Sequence, residues 1–441
     1  METPFEHGAV AGRPGITFLL IFTVLLPTVV AFGILYRQAL SIPYEDDYNA
    51  ILAFATGYEQ LPTLKSKAVD IATAQHNEYH LSFEHFIVAS ELEFHHHLNF
   101  AFLTALGDLL LLPLAYLLWL TYGNDESSLN RRLLAFLPIS LCFFSLTYWE
   151  NLNWAMTGLQ NTPVILFSLL AIYLVAPTKA LSRAQLLLGC LAAALAAFSS
   201  ANGFVLGPVG LLIFLPRRAF AASLAWCASF VLPLATYVYH YAPPVQSTHR
   251  FFHTRPLFFL AFLGGVIPFP RPAVLLGTVL LAVVLLAVRS RFDRINPVAF
   301  YFTLWILATD CLAAWVRGAT GYWISSRYSI YSCLLLIFCY SFLAHYLPGR
   351  SPTFHRRRFY LAAIVIAAGL SFAANICAYR GLGERRRMAL AGIELYRARP
   401  DINSPMIDPR IERSAPGEKA FEQGVLTEAI QKKIYTLPPK Q

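Results

Sequence analysis

Soon after its first long apolar run the chain sets three carboxylates side by side, in Pro43-Tyr44-Glu45-Asp46-Asp47-Tyr48. Adjacent acids repel, so at least one is expected to titrate high, or a cation is shared between them. Such a group suits a general base, with Glu45, Asp46 or Asp47 taking a proton from a hydroxyl. It also suits a hard divalent ion such as Mg or Mn, held by Asp46 and Asp47 with the remaining ligands drawn from substrate phosphate. A plainer alternative is that Asp46 or Asp47 caps a helix over Tyr48–Gly57.

A second polar stretch follows, with His76, Asn77, Glu78, His80, Glu84 and His85. At helical spacing His76, His80 and Glu84 share a face. The order His76-Asn77-Glu78-Tyr79-His80 is not the H-E-x-x-H zinc pattern, however, because the glutamate is one place off. The competing reading is an amphipathic helix on the bilayer surface, with Leu81, Phe83, Phe86, Ile87 and Val88 toward lipid. In that reading Glu78 remains a polar group facing a cavity. Further on, Trp149-Glu150-Asn151-Leu152-Asn153-Trp154 combines a carboxylate and amides with indoles. This is either a sugar subsite or an interfacial aromatic belt. Arg317 and the run Ser325-Ser326-Arg327-Tyr328 bracket a Gly- and Ser-containing loop. Two guanidiniums there could cradle a phosphate, or either could snorkel to the interface. Asp108 and Asp310 sit inside apolar blocks, where an ionisable side chain needs a cavity or a partner. Asp310 lies about two turns before Arg317 and could pair with it.

The elements that position these residues are helices in a bilayer. Of 441 residues, 57% are hydrophobic and 13% charged, where a soluble chain carries about 25% charge. Apolar blocks long enough to cross a bilayer predict about eleven transmembrane helices, at 15–36, 97–120, 133–149, 162–176, 183–198, 204–215, 219–240, 272–288, 297–316, 328–347 and 359–379. The block 257–267 is too short to cross and reads as re-entrant or interfacial. With the N-terminus in the cytoplasm, Arg131-Arg132, Lys179 with Arg183, Arg217-Arg218, Arg289 with Arg291 and Arg294, and Arg350 with Arg356-Arg357-Arg358 all face the cytoplasm. The positive-inside rule predicts that arrangement. The net charge of +9 is therefore read as topology and lipid contact, with no nucleic-acid partner. Residues 15–36 are too long for the core of a cleaved signal peptide and read as an uncleaved helix. The seven cysteines fall in apolar blocks without a CxxC pair, so no disulfide or zinc framework is expected.

The expected fold is therefore all-α, a polytopic transmembrane bundle over 1–379. Its first outer loop, about 37–96, carries amphipathic surface helices. A short basic tail, 380–441, includes Arg385-Arg386-Arg387 and falls on the extracytoplasmic side with the loops that hold the candidate site.

Taken together, the acids after helix one, Gln75-His76-Asn77-Glu78, Glu150-Asn151, the Ser200-Ala201-Asn202-Gly203 turn and Ser325-Ser326-Arg327-Tyr328 resemble the GT-C superfamily of polytopic glycosyltransferases. The likeness is to a bacterial branch and spreads over most of residues 15–380, although the tail is too short for the soluble outer domain many members carry. It implies a polyprenyl-phosphate sugar donor at Arg327 or Arg317. His76, Asn77, Glu78, Glu150, Asn151 and Tyr328 would line the substrate site, and Asp46 or Asp47 would act as base or metal ligand. The work would be done at the outer face of a bacterial inner membrane on a glycan, lipid or protein acceptor. A polysaccharide polymerase or ligase would want similar arginines. A transporter or lipid flippase should instead concentrate ionisable groups in mid-membrane and show repeated halves, and neither is visible. A non-catalytic scaffold would leave the acidic cluster unexplained.

Overall fold

The computed structural model describes residues 14–77, 79–122, 128–177, 181–239, 241–242, 255–317, 324–347, 356–398 and 416–439. Glu78, Lys179 and Arg350 lie outside them. Among the described residues nine helices are long and apolar enough to cross a membrane, and two shorter apolar helices, Arg183–Ser199 and Ala201–Arg217, stand where two further crossings were expected. The chain is a multi-pass helical membrane protein.

The bundle opens with α1 (Pro14–Gln38), whose apolar side chains are mostly exposed; only Val24, Ala31 and Leu35 are buried. That is the signature of a helix facing lipid. The next crossing is broken at Leu110 into α5 (Phe100–Leu109) and α6 (Leu111–Tyr122), and α5 starts on an Asn99 cap. α7 (Leu129–Phe143) starts on Ser128, and α8 (Ala155–Val175) is the most buried span. α9 (Arg183–Ser199) opens on a capping box between Ser182 and Gln185 and leads through a 3-10 turn into α10 (Leu206–Phe214). α11 (Phe220–Ala228) and α12 (Val231–Val238) share one crossing. α13 (Arg255–Leu263) has nine residues, too few to span, and packs on α14 (Pro270–Arg289) where Gly264 and Gly277 let the backbones touch. α15 (Pro297–Arg317), α16 (Ser329–Tyr346) and α17 (Arg356–Ala398) complete the set.

Three readings of the sequence are corrected, and the tail adds structure that the sequence left open. The loop expected over 150–161 ends early, because α8 begins at Ala155 and buries Thr157, Gln160 and Asn161 against neighbouring helices. Polar residues depress hydropathy there, but a bundle interior accepts them when they are hydrogen-bonded. The stretch 68–97 is not one helix. α3 (Leu64–Thr73) ends at Ala74, and a hairpin of β1 (Gln75–His76) and β2 (Tyr79–His80) turns through Asn77 at φ 50°, before α4 (Ser82–His95). Asparagine tolerates that left-handed conformation, which a helical reading overlooks. α4 is amphipathic, with Phe86 and Phe94 exposed, yet its inner face buries Glu84, His85 and Glu91 beside Val88 and Leu92.

The tail is also folded. α17 continues without a proline for 43 residues, and α18 (Pro416–Gln431) returns onto the first loop. Tyr396, Leu426, Ala429, Ile434 and Tyr435 join Tyr48, Ile51, Leu52, Tyr58, Leu92 and Trp154 in a second apolar core. The Tyr435 hydroxyl donates to the Ser41 carbonyl, and Leu98 N–H to the Ile434 carbonyl. Finally, Asp310 is buried in α15 with no hydrogen-bond partner on either oxygen among the described residues. A pair with Arg317 does not form, because that guanidinium reaches forward to Tyr79.

Candidate functional site

The acidic run folds as a tight turn leading into a π-helical segment, Tyr48–Ala53. Glu45 sits at φ 45°, in the left-handed region, and the amides of Asp47 and Tyr48 close back on Tyr44 and Glu45. A non-glycine residue there costs on the order of 1 kcal/mol and persists only when its surroundings enforce it. The turn splits the three acids. The Asp47 carboxylate, 1% exposed, accepts from Met156 N–H at 2.9 Å and from Tyr44 N–H at 3.0 Å. Asp47 makes no side-chain cap on its own helix; it caps the first turn of α8 instead. Asp46 points the other way, with 37% of its side chain open.

Asp46 faces two cations or potential cations across a gap. Its Oδ2 is 3.9 Å from Arg327 Nη1, and its Oδ1 is 3.8 Å from His76 Nε2. Both separations are too long for direct hydrogen bonds. His76 is 2% exposed and its Nε2 lies 2.9 Å from Asn77 Nδ2, which fixes the imidazole beside the acid.

Arg327 enters from a 3-10 turn, Ser326–Tyr328, at the start of α16. Glu150 holds that turn: its Oε2 accepts from Ser325 Oγ at 2.6 Å and from Arg327 N–H at 3.3 Å, and Glu150 N–H donates to Ser326 Oγ. The Arg327 guanidinium lies over Trp154, 4.9 Å to the ring centre, and over Tyr328 at 5.2 Å. Its Nε is buried with no hydrogen bond among the described residues. Arg317 also lies over Tyr328, at 5.5 Å, and donates to Tyr79 Oη at 3.1 Å. Two guanidiniums thus share one phenol, and Arg327 of the two faces the open carboxylate.

Charge in the site follows burial. Burial pushes the Asp47 carboxyl up to about 7, against the pull of its two backbone donors and Arg385. Burial likewise raises Glu45, opposed by Tyr44 and the arginines. Repulsion between neighbouring acids was the expected cause, but it ranks last among the contributions to both. Glu84, with neither oxygen hydrogen-bonded among the described residues, is raised well above the usual carboxyl range, by burial first and then by Asp47 and Asp46.

Of the residues singled out by sequence, Asp46, His76, Asn77, Glu150, Arg317, Arg327 and Tyr328 come together here. Asp47 is turned away to the backbone of Tyr44 and Met156, and Glu45 lies between the fields of Arg385 and Arg327. Asn151 is fully buried, its amide spent on Thr162 at 3.2 Å and Asn161 at 3.0 Å, so it holds α8 and offers nothing to the cleft. Glu78 lies outside the described residues. Tyr79 was missed as a site residue and Trp154 was read only within the indole motif; Tyr79 adjoins a flagged motif, and no spacing rule links it to Arg317. Among the described residues no three His, Cys, Asp or Glu side chains converge to hold a metal. With both Asp47 oxygens engaged by backbone, Asp46 is the carboxylate of the pair left open to a divalent ion. No family model, curated protein or solved structure matches the chain.

Proposed function

We propose that the protein is a GT-C-type glycosyltransferase that moves a sugar from a polyprenyl-phosphate donor to an acceptor hydroxyl at the outer face of a bacterial inner membrane. The observation that carries this reading is the open Asp46 carboxylate facing the Arg327 guanidinium at 3.9 Å. Transfer of a glycosyl group from a lipid phosphate needs that pair: a base for the incoming oxygen and a fixed cation for the departing phosphate.

In this mechanism the acceptor hydroxyl enters beside Asp46 and gives its proton to the carboxylate as its oxygen bonds to the anomeric carbon. The bond from that carbon to the phosphate oxygen breaks, and polyprenyl phosphate leaves with the electron pair. Arg327, with Arg317 behind it, meets the charge that develops there. Buried Trp154 backs the guanidinium, while Glu150 keeps the arginine turn in place. A divalent ion, when bound, would take Asp46 and the donor's phosphate oxygens and screen the same charge.

The test is transfer from a radiolabelled polyprenyl-phosphate sugar by purified protein in detergent. Asp46→Asn should lower the rate by about 10²–10⁴-fold, and Arg327→Ala should weaken donor binding about tenfold or more. Undiminished transfer by Asp46→Asn would remove it as the base. EDTA sensitivity that Mg or Mn restores would assign the metal role to Asp46.

A further inference from the structure

On the far side of the acidic turn from Arg327 lies a separate hollow of about 30 Å³. Its wall includes Gln38 at the end of α1, Tyr44 and Asp47 from the turn, Asn153 before α8, and Arg385 and Arg386 from α17. By the measure in which one water takes roughly 10–15 Å³, it admits two or three oxygen-sized atoms.

Arg385 is the anomaly. Its guanidinium stacks 3.4 Å from the Tyr44 ring centre, and its Nη1 is buried with no hydrogen bond among the described residues. No carboxylate oxygen among those residues lies within the 4.0 Å of an ion pair. Asp47 is near, yet both its oxygens are turned to backbone N–H groups. Asp47, Glu45 and Glu150 act on this cation only from beyond contact distance, and a buried guanidinium N–H without an acceptor is costly until one completes it. Arg386, by contrast, is anchored on the carbonyls of Arg37 and Ala39.

Depth names the source of that anion. Arg385 stands six residues past Tyr379, where the apolar run of α17 ends, hence about 9 Å further along the axis. The headgroup layer adds about 5–8 Å beyond the core on each side, so the backbone lies at its outer edge and the side chain, leaning toward the N-terminal, apolar end of the helix, falls back into it. Exposed Arg37 at the end of α1 and exposed Arg380 and Arg387 along α17 add to the positive charge of this region. In the orientation expected from the sequence, these five arginines fall on the face opposite the basic connections, where the positive-inside rule does not call for them.

We propose that this hollow is a binding site for the phosphate headgroup of a membrane lipid, with Arg385 as its counter-ion, distinct from the cleft at Arg327. It does not depend on the glycosyltransferase reading. The experiment is native mass spectrometry of the full chain in detergent, titrated with dioleoyl phosphatidic acid and, in parallel, with dioleoyl phosphatidylcholine. The wild type should retain one phosphatidic acid whose loss follows Arg385→Gln by at least tenfold in affinity, while Arg385→Lys keeps it. Ala389→Trp fills the hollow's wall with the guanidinium intact and should displace the lipid too, covering the case in which Arg385→Gln fails to fold. Arg327→Ala should retain the Arg385-dependent lipid. Retention by both Arg385→Gln and Ala389→Trp at wild-type strength would overturn the site. Displacement by inorganic phosphate at equal concentration would overturn the lipid as the source of the anion.

Discussion

Asp46 and Asp47 share a peptide bond, but their carboxylates do different work. Asp46 is open and held only by charges 3.8–3.9 Å away; a pair that exposed contributes about 1 kcal/mol or less to stability. Asp47 is buried and takes two backbone N–H groups. Asp47→Asn places an amide donor against one of them and should cost about 1–3 kcal/mol, read as a lowered melting temperature. Asp46→Asn should melt within about 0.5 kcal/mol of wild type. Equal destabilisation by the two variants would refute the division. The sequence makes all three acids legible as a cluster, because composition needs no fold to be seen. Which acid faces the cleft is not legible: it depends on the Glu45 turn and on Met156, more than a hundred residues away. The same holds for Arg385, whose run of three arginines looks like surface charge until α17 is placed beside Tyr44.

At the scale of elements, the first loop and the tail form a layer whose stability should depend on pH. Glu91 in α4 is pushed up to about 7 by burial, opposed by the Asn99 N–H and His97. A raised acid stabilises the fold most below its unfolded value, near 4.5, and loses that contribution as pH rises through 7. His85 acts in reverse: burial holds it down to about 3, so its contribution is present above 6.5 and fades as pH falls through 3. Glu91→Gln should therefore flatten a decline in melting temperature between about pH 4.5 and 7.5; an unchanged slope would exonerate Glu91. Leu426 in α18 is fully buried on the acidic turn's π-helical segment. Leu426→Asp should cost about 3 kcal/mol or more and increase hydrogen exchange in residues 44–58. If exchange there stays at the wild-type level, the tail does not brace the site. The long apolar spans were legible because about 20 apolar residues have few other fates. The hairpin and the docking of α18 were not, since two-residue strands carry no periodicity and the tail's apolar positions are few.

At the scale of the whole molecule, the described spans bury few ionisable groups beyond Asp108 and Asp310, while the open polar residues gather at one end. A carrier needs polar relays through the middle. Proteoliposomes lacking acceptor should therefore accumulate no substrate, and uptake that survives Asp46→Asn would favour transport over transfer. The last long helix links both ends of the bundle. Its 43 residues make a rod about 65 Å long, with no proline to act as a joint. A lean of about 5° about its middle would swing each tip roughly 3 Å and shift Arg385, eight residues from that middle, by about 1 Å. Bilayer thickness, which sets how far such rods lean, would then act as a dial on the hollow beside Arg385: a thinner or thicker membrane would retune it without any ligand passing between the two faces.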